Sequence, residues 1–171
     1  MGSRLKRLAA VLIISTVVTG CGSGQNAVTR NFKQVTDGVE AQSAEIRLRN
    51  VLIVKTATND AVLVGTLVSW SDEPDAITGI SINNTPATLS APGFELVKNK
   101  PVIFVGDSAN ADAYIPGLNK VAGERIPVTF TFATATPVTV DALVVAQDGV
   151  YENLVRANSA VAAPVISEVQ P

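Results

Sequence analysis

Carboxylates are the side chains of this sequence that could bind a hard metal ion or transfer protons. Asp72, Glu73 and Asp75 lie within four residues of one another. Asp107 and Asp112 flank a second short stretch. A calcium-binding loop places oxygen ligands at alternate positions with glycine at the sixth, and neither group has that spacing. A glycosidase needs two carboxyl groups that face each other across a cleft, and no spacing here proposes such a pair. We therefore expect these carboxylates to be solvated turn residues.

The usual catalytic and metal-binding residues are missing from the chain. Its 171 residues include no histidine, one cysteine and one methionine, which is Met1. A Ser-His-Asp triad, a histidine-ligated metal ion and an intramolecular disulfide are therefore excluded. Ser108 has neither a GxSxG motif around it nor a histidine to activate it. We predict a protein that is not an enzyme, binds no metal ion and carries no cofactor apart from covalently attached lipid.

The single cysteine, Cys21, ends a sequence typical of bacterial lipoprotein signals. Three basic residues precede an eleven-residue apolar run over 8–18, and the tetrapeptide Val-Thr-Gly-Cys then ends at Cys21. Eleven residues are too few to span a hydrocarbon core of about 30 Å, so the run is interpreted as a secretory signal. The tetrapeptide matches the lipobox, where the signal peptidase cuts before a lipid-modified cysteine. We predict a signal peptide over 1–20 and two or three acyl chains, such as palmitate, on Cys21. These chains would hold the protein at the outer face of the cell membrane.

The segment after the cysteine is predicted to be a tether. Residues 21–42 are polar and interrupted by glycine, with no sustained period. A flexible coil of this length reaches roughly 25 Å, so the folded part would stay close to the membrane. The net charge is −2 and the basic residues are scattered. Because nucleic-acid binding needs a basic patch, we expect no nucleic-acid partner.

From residue 43 onwards, β-branched runs alternate with turn signals. The run over 126–132 alternates apolar and polar residues with period two, which is typical of a half-buried strand. The run over 138–146 follows an Ala-Thr-Pro turn and is its expected hairpin partner. Seven or eight short strands predict an all-β domain over 43–156, which we interpret as an antiparallel Ig-like β-sandwich. The remaining residues, 157–171, are predicted to form a frayed tail. The predicted strands cover 46–54, 61–70, 76–82, 94–97, 101–105, 126–132 and 138–146.

Aromatic residues near the predicted loops are candidate contacts for a protein partner. Trp70 ends a strand beside the acidic pair Asp72 and Glu73. Tyr114 precedes a Pro-Gly turn, and Tyr151 follows the last strand. Aromatic side chains at loops can anchor interfaces, although for any single one of them capping an end of the core is the more common role. These five residues form the predicted partner interface.

The segment over 116–145 resembles the C-terminal hairpin of periplasmic copper chaperones of the PCuAC type. In that family a Leu-Lys-x-Gly-acidic stretch leads into a Val-Pro-x-Thr-x-Thr-Phe strand. Here LNKVAGE over 118–124 leads into IPVTFTF over 126–132. The resemblance implies a cupredoxin-like or Ig-like sandwich. The copper site of the family uses two His and two Met, with a His-x-Met pair just before the hairpin. This sequence has DAYIPGL over 112–118 there, so the copper function is not carried over.

Most of the stretch over 20–150 is similar to the actinobacterial LpqE-type lipoproteins. The shared features are a Gly-Cys-Gly lipobox, a polar tether, an RNVL first strand over 49–52 and a Thr-Phe-Thr-Phe strand near the end. This resemblance implies an accessory lipoprotein that associates, outside the cytoplasm, with the respiratory supercomplex of cytochrome bc1 and the aa3-type oxidase.

Three functional hypotheses follow from the residues and the resemblances. The first is a non-catalytic accessory subunit docked on an integral membrane complex. The second is an assembly chaperone or binding module derived from the copper-chaperone fold that no longer binds copper through His and Met. The third is a free-standing lipoprotein that binds a lipid or another small apolar ligand inside the sandwich.

Overall fold

The computed structural model describes residues 37–154. The predicted signal peptide over 1–20, Cys21, most of the tether and the tail over 157–171 lie outside the described residues. Among residues 37–154 there is no helix with the length and apolarity needed to cross a membrane.

Eleven β-strands and one short 3-10 helix, Gly149–Tyr151, make up the described part of the chain. All seven predicted strands are found, each with its bounds shifted by two residues or fewer. Four further strands were not predicted, because β1 is largely polar and the other three have only two or three residues. The strands are β1 Val39–Ser43, β2 Ile46–Lys55, β3 Ala61–Ser69, β4 Asp75–Ile82, β5 Thr85–Pro86, β6 Thr88–Leu89, β7 Phe94–Leu96, β8 Val102–Phe104, β9 Ala113–Ile115, β10 Arg125–Phe132 and β11 Val138–Ala146.

The strands form two packed layers that β11 joins. In one layer β2 pairs with β1 and β3, and β3 pairs with β8 and β9. In the other layer β4 pairs with β5, β7 and β10. The first part of β11 pairs with β10, and its last three residues pair with β2. The predicted all-β sandwich is therefore confirmed.

One strand pairing departs from the predicted antiparallel arrangement. The last residues of β11 pair with β2 in parallel, with Val144 opposite Ile53. Parallel neighbours cannot be joined by a hairpin and are far apart in the sequence, so local turn signals did not indicate this pair.

The core lies between the layers and consists mainly of aliphatic side chains. Strand β10 shows the predicted alternation, since Ile126, Val128, Phe130 and Phe132 are all buried. In β2 the alternation is interrupted at Asn50, where a bulge with positive φ lets both Leu48 and the following Val51 face the core.

Strand structure is found earlier in the sequence than predicted. Residues 39–42 were assigned to the tether, but they belong to β1, where Val39 is opposite Val51 in β2. Val39 and Ala41 are partly buried against the core. The prediction was wrong here because β1 is an edge strand with one polar face, so its composition resembles that of a linker.

A second, smaller apolar cluster covers the outer face of the layer that contains β2 and β3. Leu52, Val54 and Val64 are buried there. The chain after β11 crosses this face, and Tyr151 and Leu154 pack against it.

Candidate partner-binding site

The predicted interface residues do not lie together. Trp70, Asp72 and Glu73 follow β3 at one end of the sandwich. Tyr114 is in β9, opposite Val62 near the beginning of β3, and so belongs to the other end of that strand. A partner would meet these two groups on different parts of the surface.

The end that carries Trp70 is formed by three connections between strands, which we call the turn end. These are the β1–β2 turn over 44–45, the β3–β4 loop over 70–74 and the β10–β11 loop over 133–137. The backbone N–H of Trp70 donates to the carbonyl of Glu45 at 3.1 Å, which joins the first two. The Ser43 hydroxyl donates to the Thr136 carbonyl at 2.5 Å, which joins the first to the third.

Trp70 is the exposed aromatic residue of the turn end. Its side chain is 53% accessible to solvent, and the guanidinium of Arg47 lies 4.8 Å from the centre of its ring. A cation over an exposed indole contributes about 0.5–1 kcal/mol. The contact holds one face of the ring and leaves the rest of Trp70 available to a partner.

Asp75 fastens the β3–β4 loop to the β10–β11 loop. Its carboxylate accepts hydrogen bonds from the backbone N–H groups of Ala76, Thr134 and Ala135 at 2.7, 2.9 and 2.8 Å. Burial alone would raise the pKa of Asp75, but these backbone hydrogen bonds outweigh burial and hold the pKa below its ordinary value. The expectation of a merely solvated turn residue was wrong for Asp75, because two of its partners, Thr134 and Ala135, are distant in the sequence.

Asp72 and Glu73 differ from Asp75 in being exposed, as the sequence predicts. Asp72 pairs with Lys98 at 2.5 Å, and the Asp72 side chain is 86% exposed. An ion pair in this setting contributes little to stability. Within the described part of the chain no hydrogen bond fixes the Glu73 carboxylate, whereas the Glu73 backbone N–H donates to the Ser71 hydroxyl at 3.1 Å.

A cleft of about 330 Å³ opens between the three connections of the turn end. Its apolar lining comes mainly from Ala44, Ile46, Pro74 and Ala135. Three carboxylates and four hydroxyls also line it, with no Lys or Arg among the residues that the structure describes. Sequence reasoning identified Glu73 but missed Glu45 and the cleft itself, which exists only where residues distant in the sequence meet. The full lining consists of Ala44, Glu45, Ile46, Ser69, Ser71, Glu73, Pro74, Asp75, Thr134, Ala135 and Thr136.

Tyr114 and its neighbour Asp112 lie near the opposite end. Asp112 is only 3% exposed, and its backbone N–H donates to the Ser90 hydroxyl at 3.0 Å. Tyr114 is half-buried in β9 and pairs with Thr88 in β6. These residues occupy the segment where the PCuAC resemblance would place a His-x-Met pair.

Tyr151 packs on the outer apolar cluster rather than at either end. Burial is the main reason that its pKa lies above the ordinary value of 10.0, and the charge of Asp37 adds to the effect. A hydrogen bond with Asn50 opposes both. Tyr151 therefore fixes the last described turn against β2, and this role competes with its predicted role as a partner contact.

The residues present do not fit a copper ion of the PCuAC type. Copper(I) prefers thioether and imidazole ligands, and this sequence has no histidine and no methionine besides Met1. The segment over 112–118 offers a carboxylate and a phenol instead. Within residues 37–154, no three His, Cys, Asp or Glu side chains are grouped closely enough to hold a metal ion.

Comparison with known proteins identifies the fold. No family model matches the sequence, and no curated protein sequence matches it. Among solved structures, the copper-bound PCuAC domain from PmoF2 matches with a TM-score of 0.55 at 20% identity, covering 63% of this chain and 98% of that domain. This chain has the fold of a PCuAC domain.

Two further structures support that result. The apo PCuAC domain from PmoF1 matches with a TM-score of 0.55 at 15% identity, covering 63% of this chain and 99% of the domain. The apo PCuAC domain of PmoF2 matches with a TM-score of 0.52 at 18% identity, covering 65% of this chain and 98% of the domain. At these identities the likeness concerns the fold, and it confirms the cupredoxin-like sandwich that the 116–145 hairpin implied.

Proposed function

We propose that this protein is a non-catalytic binding module that works at the outer face of the bacterial cell membrane. One observation carries the proposal: the chain has the PCuAC fold, yet its sequence has no histidine and only Met1 as methionine. Beyond Met1, the fold is therefore present without the imidazole and thioether ligands that copper(I) prefers. The protein therefore functions by binding a partner through its surface, above all through the turn end with Trp70.

The module is held at the membrane by lipid on Cys21. The lipobox sequence and the apolar run over 8–18 support this anchor. Two or more acyl chains give stable anchoring, whereas a single chain gives marginal binding. A tether from residue 21 to the beginning of β1 would keep the sandwich within a few nanometres of the bilayer.

The partner is an integral membrane complex, and the respiratory supercomplex of cytochrome bc1 and the aa3-type oxidase is the one we propose. The resemblance to LpqE-type lipoproteins supports this choice. In this role the protein is an accessory subunit that carries no electrons itself, since it has no redox ligands of its own. It binds neither nucleic acid nor metal.

A second function is favoured by the structural neighbours. All three are PCuAC domains, and one is described as copper-bound. A protein with this fold could act as an assembly chaperone that contacts the oxidase transiently without holding copper. The two functions differ in stoichiometry, because an accessory subunit stays with the mature complex and a chaperone does not.

The test is a pull-down of the tagged protein from its native membranes in mild detergent, with subunit stoichiometry by mass spectrometry. We expect bc1 and aa3 subunits in near-equal amounts with the tagged protein. A Cys21→Ala variant is the matched control and should be lost from the membrane fraction. Trace amounts of immature oxidase subunits would favour the chaperone, and capture of the protein alone would contradict both functions.

A further inference from the structure

We propose that the cleft of the turn end binds a Lys or Arg side chain, presented by a loop of the membrane-complex partner. This inference rests on the proposed function, since it names the chemistry of the surface that the partner must offer. Lys and Arg have apolar stems and charged heads, and the cleft has an apolar interior with acidic residues around it.

The apolar part of the cleft matches the stem of such a side chain. Ala44, Ile46, Pro74 and Ala135 supply carbon surface, and Ile46 is itself buried at 2% exposure. The volume of about 330 Å³ lies at the lower end of the range of ligand pockets. It therefore suits one long side chain better than a drug-sized molecule.

The charges around the cleft match the head of the side chain. Glu45, Glu73 and Asp75 all line it, and no basic residue within 37–154 does. Glu45 and Glu73 are exposed, so both carboxylates can turn towards a cation that enters the cleft. Asp75 is committed to backbone N–H groups, but its charge still favours a cation nearby. An anionic partner would meet repulsion from all three.

The cleft is held open by hydrogen bonds that do not involve the proposed ligand. Asp75 joins the β3–β4 and β10–β11 loops, and Ser43 joins the β1–β2 turn to Thr136. A site that is already formed loses little conformational entropy on binding, which favours affinity. Trp70 lies beside the cleft, flanked in sequence by Ser69 and Ser71, both of which line it. A loop that places its cation in the cleft would therefore also contact the indole.

A peptide titration tests the cleft without the membrane complex. The full chain, purified from membranes in mild detergent, is titrated with acetyl-Ala-Arg-Ala-amide while backbone N–H resonances are followed by NMR. We expect saturable shifts at Ser71, Thr134 and Ala135. The citrulline analogue has the same shape without the charge, and we expect it to bind at least about fivefold more weakly. Shifts of equal size with both peptides, or no shifts at the cleft, would overturn the inference.

A pair of matched double variants tests the cleft in the complex. The first replaces Glu45 and Glu73 with Gln. The control replaces with Gln the residues Glu95 and Glu152, which are also exposed but lie outside the cleft. We expect the first variant to capture about tenfold less of the membrane complex and the control to capture as much as the unmodified protein. Circular dichroism verifies that both are folded.

These two experiments separate failure of the inference from failure of the proposed function. If the unmodified protein captures no membrane complex, the proposed function fails. The peptide titration then still tests whether the cleft binds a basic side chain. If the unmodified protein and both double variants capture the complex equally, the function stands and the cleft is not its docking site. That second result would overturn the inference even if the peptide binds.

Discussion

Trp70 and Tyr114 lie at opposite ends of strand β3. Tyr114 is opposite Val62, and Trp70 follows the last residue of the strand, eight residues further along. At about 3.3 Å per residue, the two positions are separated by about 26 Å along the strand. The residues that dominate an interface cluster tightly, so Trp70 and Tyr114 are not expected to belong to one such cluster.

The first prediction follows from this separation. We expect Trp70→Ala to reduce capture of the membrane complex at least about tenfold, because an exposed indole beside the cleft is the type of residue that dominates interfaces. Tyr114→Ala, once shown to be folded, should leave capture unchanged. The amount of bc1 and aa3 subunits per tagged protein measures both. Equal losses in the two variants would mean that the interface covers the whole layer.

Asp75 should stabilise the turn end, and it should do so in a pH-dependent way. We expect Asp75→Asn to lower the free energy of unfolding by about 1–2 kcal/mol near neutral pH, because charge-assisted hydrogen bonds to Thr134 and Ala135 are weakened. Urea unfolding measures this, with the exposed Asp72→Asn as a control that should show little change.

The pH dependence of that effect has a definite sign. The pKa of Asp75 is held below the ordinary value of 3.8 in the folded protein. Its stabilisation is therefore present above pH 3.8 and lost as the pH falls through the folded-state pKa. The difference between the unmodified protein and Asp75→Asn should shrink below pH 3.8. A difference that grows on acidification would contradict the assignment.

Two glycines form a matched pair for testing the packing. A Cβ atom on Gly93 would lie 2.8 Å from the carbonyl oxygen of Ile77, whereas one on Gly79 would be 3.9 Å from Thr131. We expect Gly93→Ala to destabilise the protein by about 1–3 kcal/mol, because the contact is with backbone. Gly79→Ala should be neutral or slightly stabilising, because it only restricts the unfolded chain. Thermal unfolding of both variants measures these changes in stability. A Gly93→Ala protein as stable as the unmodified one would show that the 91–93 segment does not approach β4 this closely.

Tyr151 should titrate above its ordinary value. Burial and the charge of Asp37 raise the pKa of Tyr151. Tyrosinate absorbance should therefore show a group that titrates above 10.0, and this titration should be absent from Tyr151→Phe. Asp37→Asn should lower that pKa. Since the folded-state pKa is the higher one, the contribution of Tyr151 to stability should be lost as the pH rises from 10.0 through the folded-state pKa. If Asp37→Asn left the pKa of Tyr151 unchanged, the assigned effect of the Asp37 charge would be contradicted.

Copper binding should be absent despite the PCuAC fold. We expect the Cys21→Ala protein, which has no thiol, to leave copper(I) with a chromogenic chelator, because neither imidazole nor a methionine beyond Met1 is present. Absorbance of the copper-chelator complex measures this. Stoichiometric transfer of copper to the protein would show that the carboxylate and phenol groups near Asp112 and Tyr114 can replace the usual ligands.

The sequence predicted the architecture better than the site. Strands β10 and β11 were predicted within one residue at each end, since strict alternation and a Pro-containing turn are local signals. Asn83 and Asn84 form a local hairpin signal of the same kind, since both have positive φ between the paired residues Ile82 and Thr85. Strand β1 was missed because its exposed polar face hides its pairing with β2.

The cleft could not be predicted, because its parts meet only after folding. Glu45, Glu73 and Thr134 belong to three connections that are far apart in the sequence. Asp75 gave no local signal that it joins two loops, since the partners across the cleft, Thr134 and Ala135, are 59 and 60 residues away. The acidic turn was visible in the sequence, but the apolar interior beside it was not.

Cross-linking mass spectrometry on intact native membranes can show which end of the sandwich contacts the membrane complex. Lys98 and Lys100 are exposed near the turn end, whereas Lys55 and Lys120 lie near the opposite end, where the Lys55 ammonium donates to the backbone carbonyl of Lys120. If the protein docks on the bc1–aa3 supercomplex through the turn end, Lys98 and Lys100 will be linked to its subunits and Lys120 will not. Links from Lys120 alone, or no links to any integral membrane complex, would contradict the account.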